Sequence, residues 1–429
     1  MFGFANFLLL ALFAAAVFDL IFAFARGGGP RGALHGLWNT PHLLFGQQLA
    51  EWRLQLGRIL FAAGLAAYEI SVVFCNSMAR QNWAWVQGVM SPVLEWLAFL
   101  CFGAKILFGT RYTWRELLAG GALYFIARWV YFNSQNIWWI GIVVAVLAAK
   151  DIPLRRPLQV YFASGCSAMA VVLALHFAGI VAPDLTSERM GALRGTYGYG
   201  HPNTFGGLVF GLVLAYALLR AQKVRWVDCL LVFAVGVFLL VGPASRSAAL
   251  CTLALAVGLV FCRLRAGHSV PRWWSGTCAG MVGLTAAVSY LLPLLVIKVG
   301  PWNNDIGPAW LAKLDSLLTC RISLTWMAYR LLDVKIAGQV FNWPTVDNSF
   351  AFALFQFGPV VAALLGILFA AALLGHAKQG RRVEVCCLFA MLAYAYMEVQ
   401  PFHLTTNPTA LLLCGAVFAQ TSARWQKIE

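Results

Sequence analysis

The chain has 429 residues, 61% of them hydrophobic, 14% aromatic and only 11% charged, with a mean hydropathy of +0.76. Such a composition excludes a soluble globular domain and makes apolar runs of about 20 residues, the length that crosses a bilayer, the unit of organisation. The formal net charge of +15 would suit a nucleic-acid partner, but the placement of the basic residues argues against one.

In chain order the expected spans are 2–25, 59–78, 84–104, 113–132, 135–149, 158–182, 203–219, 227–241, 246–262, 274–297, 349–374, 384–398 and 408–421. The runs 135–149 and 384–398 are short, and 32–57 reads as an interfacial or re-entrant segment. The first run lacks a basic leader and a small-residue cleavage site, so it is expected to be retained. The expected fold is all-α: a polytopic transmembrane helical bundle with about 12 or 13 passes. Residues 1–429 form one membrane domain. Within it, 298–348 is an extracytoplasmic insertion carrying an amphipathic helix.

Arginines and lysines cluster in alternate loops: Arg26, Arg31, Arg53 and Arg58; Lys105, Arg111 and Arg115; Lys150, Arg155 and Arg156; Arg220, Lys223 and Arg225. The series continues with Arg263, Arg265 and Arg272, with Lys378, Arg381 and Arg382, and with Arg424 and Lys427. By the positive-inside rule these loops are cytoplasmic. The excess charge then encodes topology, and 183–202, 242–245, 298–348 and 399–407 face the other compartment.

Of the 11 cysteines, most fall inside spans, and no spacing suggests a metal site; they read as small apolar side chains. No internal repeat is evident, which weakens an inverted-repeat transporter.

Four polar constellations border the outer face. The first is Arg194 with Gly198, Gly200, His201, Pro202 and Asn203, in RGTYGYGHPNTFGG at 194–207. Asn203 is expected to cap the inward-running helix, whose N-terminus favours anions such as phosphate, and Arg194 adds a planar fork. The plain alternative is a glycine-rich turn with a surface arginine. The second is the turn Gly242–Ser247, where Ser245 or Ser247 can cap and Arg246 opens a span; a snorkelling arginine is the alternative. The third is the insertion, where 309–333 reads as one amphipathic helix. Its apolar row is Trp310, Leu314, Leu317, Leu324, Ala328 and Leu331, at three- and four-residue steps. Arg321 stands where that row calls for an apolar residue and so needs a buried anion, a substrate phosphate or a lipid headgroup. Arg330 falls on the solvated face. The fourth is Asp347-Asn348-Ser349, with Glu398 and Asn407 at the turn between the last two spans. Asp347 is either an N-cap or a carboxylate that takes a proton from a sugar hydroxyl. Glu398 is either a general base or the partner of an arginine. His201 and His403 are further bases, and Asn203, Asn348 and Asn407 are substrate-binding or helix-capping residues.

In this order the motifs resemble those of the bacterial O-antigen polymerase and O-antigen ligase superfamily of integral membrane glycosyltransferases. The resemblance runs through Arg194 and GHPNTFGG, Arg246 in SRSAAL, and Arg321 in LLTCRISL. It continues with DNSFAFALFQFG at 347–358, Glu398 and Asn407-Pro408. It covers roughly 190–410. Two departures stand out: the third motif commonly has Gly before its arginine, where this chain has Cys320, and ligase members tend to carry a histidine motif where Asp347-Asn348 stands.

The resemblance implies a polymerase of polyprenyl-diphosphate-linked oligosaccharide repeat units at the outer face of the bacterial cytoplasmic membrane, building O-antigen, capsule or exopolysaccharide. The implied partners are a lipid-linked donor and acceptor, the bilayer, and flippase and chain-length regulator proteins, with no nucleic acid. No cofactor, metal or nucleotide sugar is implied. Displacement at the anomeric carbon would invert it, with Arg194, Arg246 and Arg321 on the diphosphate and Asp347, Glu398 or His201 as base. Three alternatives remain. One is a ligase that transfers finished polysaccharide to a final acceptor. Another is a transporter or flippase for lipid-linked saccharides using Asp19, Glu69 and Glu95 within apolar runs. The third is a non-catalytic membrane scaffold, which gives no reason for three arginines at outer helix starts or within a buried stripe.

Overall fold

A computed structural model describes residues 2–26, 29–45, 50–181, 187–189, 192–266, 271–297 and 306–418. The start of the expected insertion, 298–305, and the basic residues Arg424 and Lys427 lie outside the described residues. Of the described residues, 78% are helical. Among the described residues, eight helices are long and apolar enough to cross a membrane, and three shorter apolar helices, Ile137–Ala148, Trp226–Val241 and Pro408–Val417, accompany them. The chain is a multi-pass membrane protein. Two further expected spans form the helices Trp114–Ser134 and Arg382–Met397, which carry more polar residues. The segment 32–57 divides into a helix Gly29–Asn39, a short strand His42–Leu43 paired with Arg111–Tyr112, and the start of the long helix Ala50–Cys75.

Two expected continuous helices are broken, and both breaks shape the polar end of the bundle. The span expected over 349–374 is instead a short turn of helix Ser349–Phe352, a wide turn Ala353–Phe357, and a separate helix Pro359–Lys378. Gly358 makes the break: its φ is +88°, and a Cβ there would lie 2.1 Å from the Ile336 carbonyl oxygen. Only glycine fits so close an approach. The aromatic rings released by this bend pack inward, with Phe357 5.1 Å from Trp139 and 5.0 Å from Phe402 between ring centroids. Contacts of this kind fix a bend through large buried area.

The amphipathic helix expected over 309–333 is two helices, Ala309–Leu317 and Arg321–Leu331. Between them Thr319 and Cys320 take left-handed backbone, φ 58° and 64°. The break rotates the second helix against the expected stripe. Trp310, Leu317 and Leu331 are exposed, while Leu311, Asp315, Arg321, Ile322 and Ala328 are buried. Asp315 accounts for the break. Its carboxylate accepts the Ile322 and Ser323 backbone N–H groups at 2.8 and 3.2 Å and the Ser323 hydroxyl at 2.8 Å, which satisfies donors that a new helix start leaves open.

Candidate functional site

Glu398 is the residue after the helix Arg382–Met397, and four segments converge on it. The first comes from Arg194. Arg194 ends a two-stranded ribbon, Ser187–Arg189 with Ala192–Arg194, and the glycine-rich loop that follows docks on the end of Ala50–Cys75. There the Met78 N–H donates to the Gly198 carbonyl at 2.8 Å. The next helix is Pro202–Leu219, and its cap is His201, not Asn203: Nδ1 of His201 accepts the Asn203 backbone N–H at 3.1 Å. An accepting Nδ1 is the unprotonated nitrogen of a neutral ring. Because His201 takes the cap, the Asn203 side chain turns sideways. Its Oδ1 accepts from Arg194 at 2.9 Å, and its Nδ2 donates to Glu398 Oε1 at 3.0 Å.

The second segment is the turn before the helix Arg246–Leu264. Arg194 also donates to the Ala244 carbonyl at 3.3 Å, which ties the first motif to the second. The Ser245 side chain does not cap the helix and points toward Asn203 Oδ1 at 3.5 Å. Ser247 donates to Glu398 Oε1 at 2.9 Å. Arg246 is the first residue of the helix and is exposed.

Arg321 supplies the third segment. It is buried as its position in the sequence demands, and the anion it meets is the protein's own: Nη2 donates to Glu398 Oε1 at 2.7 Å. The rest of the guanidinium donates to the Leu318 carbonyl at 3.0 Å, to the Thr319 hydroxyl and to the Met397 carbonyl. The helix break at 318–320 places these acceptors.

The fourth segment begins at Asp347. Asn348, not Asp347, caps the short helix that follows, accepting from the Phe350 and Ala351 N–H groups at 2.9 and 3.2 Å. Asp347 precedes the cap, with its Oδ2 4.0 Å from Arg321 Nη2 and its side chain 33% exposed. Ser349 donates to the Glu398 backbone carbonyl at 2.6 Å. Asn407 lies apart from this convergence, capping the turn Pro408–Leu413 through the Ala410 N–H at 3.1 Å. His403 rests against Trp138, ring centroids 3.8 Å apart.

Glu398 Oε1 thus takes three donors, Asn203, Ser247 and Arg321, at a residue only 5% exposed. Burial raises its pKa above the ordinary carboxylate value, against the lowering effect of Arg321. We take the short Arg321 contact as the mark of an ionised carboxylate, since a charged donor at this distance strongly favours the charged form. Asp347, Arg246 and His201 form the accessible rim around this closed centre. Among the described residues no group of three or more His, Cys, Asp and Glu side chains could hold a metal ion. An apolar cavity of about 120 Å³ adjoins the site, lined in part by Trp139, Tyr290, Ser349, Phe350, Phe402 and Asn407.

Sequence reading passed over Asp315, Gln400 and Tyr394. Asp315 lay off the expected apolar row, on the face with Leu311 and Ile322 that the structure buries. Gln400 and Tyr394 gave no signal, since their importance arises only from packing. Comparison with protein-family models, with curated proteins and with solved structures gives no match to this chain.

Proposed function

We propose that the chain is a membrane glycosyltransferase that polymerises polyprenyl-diphosphate-linked oligosaccharides at the outer face of the bacterial cytoplasmic membrane. One observation carries the reading. Arg194, Arg321, Glu398, Asn203 and Ser247, from segments far apart in sequence, form one hydrogen-bonded centre at the starts of two membrane helices. Helix N-termini and arginines stabilise the negative charge that develops on a departing diphosphate without reorganising.

In this reading Arg194 and the exposed Arg246 hold the diphosphate of the donor, and Arg321 holds the centre together through Glu398. The acceptor hydroxyl attacks the anomeric carbon, the bond from that carbon to the diphosphate oxygen breaks, and the hydroxyl proton passes to a carboxylate. Asp347 is the base. It is the more accessible of the two carboxylates and carries no cap, whereas Glu398 already serves three donors. His201 would have to release the helix cap to accept a proton at Nδ1, so it ranks below Asp347. One displacement inverts the anomeric centre. The apolar cavity beside Ser349 receives the polyprenyl chain, and the helices of the insertion cover the outward face.

The position of the polar groups at helix ends supports a transferase over a transporter, whose site lies near the midplane. Asp19 is in any case engaged with His42 Nε2 at 3.1 Å and with the Phe45 N–H at 3.1 Å. Deleting the gene in the source bacterium and analysing lipid-linked and surface glycans tests the reading. Accumulation of single lipid-linked repeats is expected. Full-length polymer lacking its final attachment would identify a ligase instead, and unchanged glycans would overturn both.

A further inference from the structure

Gln400 lies two residues past Glu398, in the short turn Gln400–Phe402. Its side-chain Nε2 donates to the Asn203 backbone carbonyl at 3.2 Å, and its Oε1 accepts from the Tyr394 hydroxyl at 2.8 Å. The amide orientation follows from chemistry, because the Asn203 carbonyl can only accept. On the other side of the amide lies Gly207, one helical turn after Asn203. A Cβ there would stand 1.8 Å from Gln400 Oε1 and 2.8 Å from the Tyr394 hydroxyl. The glycine is the notch that admits the amide.

Asn203 is the neutral link between a cation and an anion. Its Oδ1 receives Arg194, its Nδ2 serves Glu398, and its backbone N–H is held by His201. Gln400 grips its carbonyl. We infer that Gln400, fixed by Tyr394 and admitted by Gly207, is a positioning residue: it holds Asn203 at the angle that joins Arg194 to Glu398. Without it, Asn203 turns and Glu398 loses one of its three donors. A buried carboxylate that loses a donor binds a proton more readily. Arg194 loses one of its acceptors at the same time, so the effect falls on the charge presented to the reacting diphosphate. Hydrogen bonds to charged groups are the strong ones, which is how a neutral amide with no access to substrate can govern the rate.

The activity arm of the test rests on the proposed function and the labelling arm does not. Gln400→Leu keeps the bulk and removes both hydrogen bonds, while Tyr394→Phe removes only the hydroxyl. In proteoliposomes supplied with a polyprenyl-diphosphate-linked oligosaccharide, Gln400→Leu is expected to lower kcat about tenfold, the scale of one charged hydrogen bond, with KM within about twofold of wild type because the residue touches no substrate. Tyr394→Phe shows a smaller loss of the same kind. In parallel, a hydrophobic carbodiimide, which reacts with protonated carboxyl groups, is quantified at Glu398 by peptide mass spectrometry. Gln400→Leu raises Glu398 labelling and moves its pH dependence upward, and labelling at Glu116, in a separate buried network, stays unchanged as a sign of intact folding. Unchanged Glu398 labelling overturns the inference whether or not the preparation is active. An unchanged kcat in an active preparation overturns it as well. Inactive wild-type protein would refute the functional reading alone, leaving the labelling to decide on Gln400.

Discussion

The bundle has a buried ionic network at each end, and the two are built on opposite plans. The ends are fixed by the antiparallel pair Ala50–Cys75 and Ser91–Phe108. Ser71 bonds the Ser91 carbonyl at 3.2 Å near one end, and Arg53 bonds the Phe108 carbonyl at 2.9 Å near the other. At that second end Lys150 faces Glu116 at 3.3 Å, Asp151 at 3.4 Å and the Arg111 carbonyl at 2.7 Å. Lys105 is fully buried beside it, donating to the Thr110 hydroxyl at 2.8 Å and to the Lys150 carbonyl. Two ammonium groups meet two carboxylates, and the Thr110 hydroxyl and two backbone carbonyls take further donors. Among the described residues, the Glu398 end gathers three arginines and two carboxylates, and its rim, Arg246, His201 and Asp347, is open to varying degrees. A closed and balanced network holds a fold together. The network with an accessible edge is the one to which the proposed function assigns an incoming anion.

Lys150→Met breaks the comparison most severely if it is right. It leaves Glu116 and Asp151 without their ammonium, and stranding a buried charge typically costs about 3–5 kcal/mol. The expected result is a large fall in membrane accumulation and in thermal stability in detergent. A stable Lys150→Met protein would show that the closed network is not structural.

Asp347→Asn is the matching change at the open end and should have the reverse profile. Asn348 already caps the helix, so the protein is expected to accumulate and melt as wild type. Transfer falls at least about a hundredfold, the lower end for removing a general base. Glu398→Gln assayed beside it separates the two carboxylates. If Asp347→Asn keeps full activity while Glu398→Gln abolishes it at normal protein level, the base is Glu398. Arg194→Lys and Arg246→Lys come next. A lysine cannot reproduce the guanidinium by which Arg194 reaches Asn203 and Ala244 and to which the proposed function assigns, in both residues, the diphosphate, so each variant should lose about tenfold or more of transfer, a difference near 1.4 kcal/mol, while still inserting. Near-normal polymer from both would make these arginines structural or lipid-facing.

How much of this was legible in the sequence differs between helices and site. Spans such as Phe2–Ala25 and Pro359–Lys378 are legible because continuous apolarity is a local property. The break between Leu317 and Arg321 is not: no Gly or Pro marks it, and the three- and four-residue steps run on through it with Arg321 in the row. What ends the helix is Asp315 folding back onto Ile322 and Ser323, a preference that propensity does not record. Arg194, Arg321, Asp347 and Glu398 stood out because charge is rare in so apolar a chain, yet their pairing was hidden. Arg321 clearly required a buried anion; that the anion is Glu398 depends on packing between segments 77 residues apart. Asn203 shows the same limit. Asn beside Pro at a helix start reads as a cap, and only the His201 ring position reveals that the cap lies elsewhere.

The smallest effect concerns backbone and differs in sign between the two ends. Each network adjoins a residue other than glycine with left-handed backbone, Cys320 at φ 64° and Asp151 at φ 62°. Such a conformation costs a residue with a Cβ of order 1 kcal/mol or more, although Asp tolerates it better because its short side chain bonds locally. Cys320→Gly relieves that cost but enlarges the conformational freedom of the unfolded chain, which returns about 0.5–1 kcal/mol. The net expectation is a gain of a few tenths of a kcal/mol, read as a slightly higher melting temperature with unchanged transfer. Asp151→Gly relieves less strain and removes the carboxylate that accepts the Arg111 N–H at 3.2 Å and faces Lys150. It should therefore destabilise the protein, and more than Cys320→Gly stabilises it. If Cys320→Gly lowers the melting temperature instead, the cysteine side chain contributes more at the helix break than its backbone strain costs, and the kink beside Arg321 is held by packing as well as by Asp315.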